Sequence, residues 1–586
     1  MTAPLSNPRK GLSIAQSAAV NAALPTTVLA AAGTGKTTTI VHRIAKAKIT
    51  DGLSLDTMFM TTFTRKAAQE MIDRIGKLLQ SAPKYAGTFH RNALLLIKEH
   101  PVLLTIHGYD STFTMLDSTD IDRLLTDALK PYKQQLKSMG INAKMAKKWI
   151  HAGIDALKSN GIYPLDLHMT PTDLTPENIE CHTKKFQDIP SSIAHGVYLA
   201  FQTELKRMSA LDFNDIISLP TLAMRDTQIC EKVNKNFRLV VVDEFQDCSK
   251  LQLELANQIS NNGKYLYLVG DEDQLIYGWR DASLAQVMEA YQSTNTLLLE
   301  TNYRSQKNIV SLAASVITQN TMRSDKVMNA YKPSAAPVKN IIPYDTRQEA
   351  SYVVQEITRL IARGVTPNEI AIISRTNDYF MMLEAELLTN RIDYNVVKAY
   401  NFFEYKEVKD IVSYLRLAVD HNNDLAFKRI INTPKRKNGL KAVNKIEAKA
   451  HMEQSSLFTA LHNQAGVSAS NEAFVSIILN LGQMMADDKP VKRVIHHLLD
   501  TLNYEQYLYE EHGVLEGEIR FERVKKLALI IDMMLEEYGV YPETLAALND
   551  EMANMKKEPD EKKVQLMTIH GSKGLEFERM CSLLVL

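Results

Sequence analysis

The sequence predicts an α/β protein built from two parallel-sheet domains, each interrupted by a mostly helical insert. Three observations predict it. Four apolar runs, in "TTVLAAAGTGKT", "TMFMTTF", "FRLVVVDEFQD" and "KYLYLVGDEDQ", each end in small or polar residues. That is the pattern of buried parallel strands carrying chemistry at their carboxyl ends. Between the second and third runs lies a largely helical stretch, so that Lys36 and Asp243 are separated by roughly 200 residues, too much chain for one ordinary crossover. A second α/β pattern begins near residue 296, with "PVKNIIPYD", "EIAIISRTN" and "IDYNVVKAY" as strands; helices dominate from about 400 to 553, and "VQLMTIH" then supplies another strand.

The first element carries the clearest chemistry. In "AAAGTGKT", Ala30 to Thr37, Gly33 and Gly35 let the backbone curl around an anion, and the following helix presents unpaired N–H groups at its start. Lys36 places a point charge on β- and γ-phosphates, and the Thr37 hydroxyl suits magnesium. Ala30 stands where the general phosphate-loop pattern has its first glycine.

The third element, "LVVVDEFQD", sets Asp243 directly after an apolar strand, where it suits magnesium coordination, with Glu244 beside it to orient and deprotonate an attacking water. The fourth, "LVGDEDQLIYGWR", ends with Gln274, whose amide suits a γ-phosphate contact. Beyond it Tyr277 and Trp279 offer flat rings for stacking on bases. In "LETNYRS", Arg304 is a candidate arginine finger and Tyr303 a cover for the nucleotide base.

Composition sets the limits. The 586 residues hold 68 Lys plus Arg and 68 Asp plus Glu, so any attraction to nucleic acid must come from a local basic groove and not from net charge. Four widely spaced cysteines give neither a zinc pair nor a disulfide framework. The absence of an apolar run of about 20 residues argues for a soluble, cytoplasmic protein.

The ordered series "LSIAQSAAV", "AAAGTGKT", "TTFTRKAAQEM", "GTFH", "DEFQD", "VGDEDQLIYGWR", "NYRS" and "LMTIHGSKGLEF" resembles the UvrD/Rep/PcrA family of superfamily 1 DNA helicases over nearly the whole chain. The resemblance implies two RecA-like parallel-sheet motor domains, each with a mostly helical inserted domain. The corresponding division is 1–95 and 206–295 for the first motor domain, 96–205 for its insert, 296–398 and 556–586 for the second, and 399–555 for its insert. It also implies an ATP- and magnesium-dependent 3′-to-5′ helicase or translocase, acting on single-stranded DNA and its junctions with duplex, with a repair or replication protein to load it.

Residue by residue, the resemblance assigns Gln16 to the adenine edge and Ala31, Ala32, Gly33, Thr34, Gly35, Lys36, Thr37 and Thr38 to the nucleotide loop. Tyr303 and Arg304 complete the nucleotide contacts, and Glu576 approaches the ribose. Thr62, Phe63, His90, Tyr277, Trp279, Thr568 and His570 fall in motifs that line the single-strand path. Lys435, Arg436 and Lys437 sit where relatives contact duplex, although Lys437, Asn438 and Gly439 replace a Gly-Ile-Gly turn. Thr38 stands where relatives often place an arginine beside adenine.

The family pattern continues past the point where this sequence stops, into a motif with a second arginine for the γ-phosphate. The expectation is therefore severely reduced ATPase and helicase activity unless that segment is supplied in trans. Two other functions compete: an ATP-dependent recombination nuclease motor subunit, and a DNA-binding regulatory fragment with little turnover.

Overall fold

The computed structural model describes residues 11–164, 184–276, 294–321, 323–397, 402, 405–436, 438–464, 468–542, 544–545 and 562–582. The chain divides into two compact units, Met1–Asn340 and Ile341–Leu586.

The strands of the first unit are β1 (Thr26–Ala30), β2 (Met58–Thr62), β3 (Tyr85–Thr88), β4 (Thr114–Met115), β5 (Ala210–Leu211), β6 (Leu239–Asp243), β7 (Leu266–Gly270), β8 (Asn295–Leu299), β9 (Thr301–Gln306) and β10 (Asn329–Lys332). Six of them form one sheet in the order β3-β2-β6-β7-β1-β8, with every pairing parallel. β1, β2, β6 and β7 are buried at every position, which explains why they read as unbroken apolar runs with no alternation. The sheet's two faces carry separate cores: Val28, Met60, Val241 and Val269 on one, Leu29, Phe59, Val240 and Leu268 on the other.

A further core, built from Leu125, Ile150, Ile154, Tyr198 and Phe201 among others, belongs to the helical insert. It forms where helices Ala143–Ser159 and Ser191–Arg207 set their apolar stripes against each other. β4 and β5 form a parallel two-stranded pairing at the insert's edge.

The second unit has a parallel sheet, β12-β13-β11-β14, from β11 (Ile370–Ser374), β12 (Tyr394–Val396), β13 (Val564–Thr568) and β14 (Arg579–Ser582). Helices Lys406–Val419, Ala469–Ala486, Val491–Leu502 and Val514–Tyr538 lie between β12 and β13 in the chain and share one large core with that sheet. Both units are thus RecA-like parallel sheets with helical insertions, the fold class expected.

Two local expectations differ from the structure. "PVKNIIPYD" contains no strand; it runs as exposed irregular chain until Asp345 caps helix Thr346–Ala362. β8, expected to open the second α/β domain, pairs along its full length with β1. Pro337 and Pro343 take two ladder donors out of that segment, whereas "NTLLL" fills the edge of the sheet beside β1.

Candidate nucleotide and nucleic-acid sites

The nucleotide loop emerges from β1 at the carboxyl edge of the first sheet. Gly33 and Gly35 have φ of +68° and +83°, in the left-handed region that a side chain would strain. Gly35 also serves as the N-cap of helix Lys36–Ile49 without any side-chain cap bond, so the first N–H groups of that helix stay available to an anion.

Neighbouring segments hold this loop from two sides. Ser13 and Gln16 form a reciprocal capping box at the start of helix Ile14–Asn21, and Gln16 Nε2 donates to the Thr34 carbonyl at 2.9 Å. Asn302, on β9, donates to the Ala32 carbonyl at 2.7 Å, and the Tyr303 N–H donates to the Gly33 carbonyl at 2.9 Å. Asn302 Oδ1 also accepts the N–H groups of Arg304 and Ser305 at 3.0 and 2.8 Å. A Cβ at Gly33 would stand 2.8 Å from both Asn302 Nδ2 and Arg304 Cβ, so the glycine is needed for close approach as well as for its φ. The exposed Arg304 therefore starts directly beside the loop. Tyr303 faces Tyr331, with ring centroids 5.2 Å apart.

At the end of β6 the acidic pair completes the arrangement. Lys36 Nζ lies 3.8 Å from Glu244 Oε2 and 3.5 Å from the Ala30 carbonyl. Asp243 is 6% exposed; its Oδ2 accepts from Thr62 at 3.3 Å, and its buried Oδ1 has no hydrogen-bond partner among the described residues. Burial, then repulsion by Glu244, push the Asp243 carboxyl up to about 7 against the pull of Lys36 and Thr62. A buried carboxylate oxygen with no donor, beside a loop that carries Thr37, is a set of oxygens fitted to a hard divalent cation.

Glu244 has φ +50° and accepts from Gln246 Nε2 at 2.6 Å. Gln274 Nε2 donates to Asp271 Oδ2 at 2.6 Å, one turn beyond β7. Thus Lys36, Asp243, Glu244 and Gln274 all issue from the carboxyl ends of neighbouring strands β1, β6 and β7.

The residues expected along a DNA path are more dispersed. Thr62 is 1% exposed with its hydroxyl on Asp243, so it supports the acidic strand end. His90 stacks on Phe213, centroids 3.7 Å apart and planes 18° apart, and burial holds its imidazole down to about 4. Phe213 is 58% exposed, an aromatic face open to solvent. Tyr277 and Trp279 lie outside the described residues, as does Lys437.

In the second unit, the Thr568 hydroxyl caps the Gly571 N–H at the carboxyl end of β13, with His570 half-buried and Glu576 exposed nearby in sequence. Lys435 is exposed and pairs with Glu511. Arg436 turns inward: it donates to the carbonyls of Ile430, Thr433 and Pro434 and to the Tyr414 hydroxyl, and lies over the Phe474 ring. Its guanidinium is thus tied to the chain's own carbonyls and rings, whereas the expectation had it reaching toward duplex.

Sequence reasoning passed over Asn302, Gln246 and Phe213. Asn302 and Gln246 each sit inside a motif whose neighbours drew the attention, and a side chain that braces a backbone has no residue-type signature. Phe213 had one available signal, a large aromatic between two polar residues in "LDFND".

A parallel sheet with a glycine-rich phosphate loop, an acidic strand end and a strand-end glutamine defines a nucleotide-dependent enzyme of the P-loop class. Residues 12–295 match the model of the UvrD/REP helicase N-terminal domain, and residues 297–582 match that of the UvrD-like helicase C-terminal domain. The ATP-dependent DNA helicase PcrA of Staphylococcus epidermidis is 30% identical over 94% of this chain and 74% of its own length; PcrA of Staphylococcus aureus is 29% identical over the same shares. The chain belongs to the UvrD/PcrA-like superfamily 1 helicases, a family of ATP-dependent helicases and translocases. No helix among the described residues is long and apolar enough to cross a membrane.

Proposed function

We propose that this chain hydrolyses ATP with magnesium and uses the cycle to travel 3′ to 5′ on single-stranded DNA, separating duplex at junctions. The observation that carries the reading is the meeting of Lys36 and Glu244 at 3.8 Å beside Asp243, whose buried oxygen lacks a donor. A lysine for the β- and γ-phosphates, a base for water and a ligand for the cation are then within reach of one triphosphate.

Gly33, Gly35 and the start of helix Lys36–Ile49 wrap the phosphates with backbone N–H groups. Thr37 and Asp243 hold magnesium, which supplies the charge that keeps Asp243 ionised and polarises the phosphoryl group. Glu244 takes the proton of the attacking water, Gln274 senses the γ-phosphate, and Arg304 neutralises developing charge. Tyr303 stacks on adenine; Gln16 reads its edge by exchanging its bond to Thr34 for one to the base. By family resemblance the ribose is assigned to Glu576.

Phe63, His90, Phe213, Tyr277, Trp279, Thr568 and His570 are the residues assigned to single-strand contact. Because His90 is neutral, it contributes with Phe213 a stacking surface more than a phosphate charge. Residues 96–205 and 399–555 serve as the inserts, and Lys435 and Lys437 are the residues assigned to duplex contact.

The test compares DNA-stimulated ATP turnover in this chain and in Glu244→Gln at equal DNA occupancy, then strand separation on duplexes with 3′ or 5′ tails. Turnover lost in the variant and unwinding confined to 3′ tails support the reading. Turnover absent from the unaltered chain, with DNA still bound, favours a binding fragment; cleaved DNA favours a nuclease subunit.

A further inference from the structure

The turn that carries Gln274 is clasped by a segment to which the motifs give no role. Asp271, Glu272 and Asp273 follow β7 directly, three consecutive acids of which the first two are buried. Such a turn repels itself unless cations enter it. Two do, both from the short stretch between helix Lys307–Ile317 and β10. Lys326, 2% exposed, donates to Asp271 Oδ1 and to Glu272 Oε2 at 2.9 Å and lies 3.3 Å from Asp273. Arg323 grips Asp273 through two bonds at 3.2 and 3.0 Å and donates to the Lys326 carbonyl, while the Ser324 hydroxyl and N–H both donate to Glu272.

The clasped turn also reaches the acidic strand end. The N–H of Asp271 donates to Gln246 Oε1 at 3.0 Å, and the same amide's Nε2 donates to Glu244 at 2.6 Å. Gln246 is fully buried, and a Cβ on Gly270 would overlap its oxygen and the Phe245 ring. Asp271 is thus shared three ways. One carboxylate oxygen holds Gln274, the other holds Lys326, and its N–H holds the glutamine that holds Glu244.

We propose that Lys326 and Gln246 are positioning residues for nucleotide hydrolysis, locking Gln274 and Glu244 into one buried relay through Asp271. The proposal rests on the reading of Gln274 as the γ-phosphate sensor. Neither residue touches the nucleotide; each acts through another. The relay therefore governs discrimination between triphosphate and diphosphate, and leaves the grip of the loop on the shared α- and β-phosphates intact. Arg323 and Ser324 add rigidity to the clasp.

The test is equilibrium binding of ADP and of a non-hydrolysable ATP analogue to the full chain, with magnesium, in the unaltered protein and in Lys326→Met, Lys326→Arg and Gln246→Leu. The expected result is a triphosphate preference that falls at least fivefold in Lys326→Met and Gln246→Leu, with ADP affinity held within about twofold and most of the preference kept in Lys326→Arg. Should Lys326→Met fail to fold, Gln246→Leu and Lys326→Arg decide. A folded Gln246→Leu or Lys326→Met that keeps the full preference overturns the proposal, as does an equal loss of affinity for both nucleotides. An unaltered chain that discriminates the nucleotides but does not turn over ATP refutes the proposed activity and leaves the relay standing; one that binds neither nucleotide overturns both.

Discussion

Replacing Lys158 by methionine tests how the helical insert is tied to the first sheet. Lys158 closes helix Ala143–Ser159 and is completely buried, with its ammonium 2.6 Å from Asp212 and 2.9 Å from Asp215. Tyr163 donates to Asp215 at 2.7 Å, and Asp212 Oδ1 accepts the N–H groups of Asn214 and Asp215. Burial alone would lower the lysine's pKa, but the two aspartates more than reverse it. Methionine matches the volume of the side chain and leaves two carboxylates without their cation. Breaking a buried pair in this way costs about 3–5 kcal/mol.

The loss carries a pH signature with a definite sign. Burial and Asp212 already push Asp215 up from 3.8 to about 6 with Lys158 in place. A carboxyl whose folded pKa is raised favours the native state at low pH, and that advantage disappears as pH rises through the folded value. Without Lys158 the folded value rises further, so the deficit should be largest near pH 8 and shrink toward pH 5 as the carboxyl takes a proton. Urea unfolding of unit one, followed at both pH values, measures it. Lys158→Met with Asp215→Asn should recover much of the stability, because the pair of bare charges becomes one. A loss below about 1 kcal/mol at pH 8, or a double variant no better than the single, refutes the reasoning.

The other predictions concern the site itself. Asn302→Ala removes the bond to Ala32 and the brace on the Arg304 N–H, and is expected to weaken ATP binding about tenfold, roughly 1.4 kcal/mol, in a titration with labelled nucleotide. Phe213→Ala should lower single-strand affinity by about 1–3 kcal/mol with basal ATP turnover unchanged, read by fluorescence anisotropy of labelled oligonucleotide. Burial keeps His90 neutral to about pH 4, whereas the unfolded chain takes that proton below about 6.5, so stability should fall as pH drops across that interval. His90→Phe should flatten that part of the stability curve, seen in melts from pH 7 to 4.5.

The nucleotide site was legible because its parts are fixed by local rules. A buried strand must be apolar, a loop around phosphate must be glycine-rich, and a metal ligand at a strand end stands out, so Gly33 and Lys36 in one short stretch and Asp243 and Glu244 in another announce themselves. Long-range relations were less legible. Nothing in "RSDK" says that Arg323 and Lys326 meet Asp271–Asp273, because three acids after a strand read equally well as a solvated turn. Arg436 misled for the converse reason. A basic cluster suggests a phosphate partner, yet an arginine beside helix carbonyls can turn its donors inward, as this one does with Nη1 on Ile430, Thr433 and Pro434 and Nη2 on the Tyr414 hydroxyl. The strand pairing of β8 was likewise beyond reach, since an edge is offered by the sheet and not by the strand that fills it.

The placement of Glu244 shows how the two adjacent acids acquire different tasks. Successive side chains on a strand point to opposite faces, so a fully extended pair could not both serve one phosphate. Asp243 keeps the strand conformation and stays buried, whereas Glu244 leaves it with φ +50°, a conformation costing a non-glycine residue about 1–2 kcal/mol. The bond from Gln246 and the proximity of Lys36 offset that cost. The departure brings a carboxylate to Lys36 that the regular strand would have directed elsewhere. One acid is thereby desolvated and left short of a donor, as a cation ligand requires, and the other is held by Gln246 close to Lys36, in place to take a proton from water. A glutamine at position 244 could accept the same backbone turn and much of the same bonding, which is why its effect should fall on turnover while nucleotide binding survives.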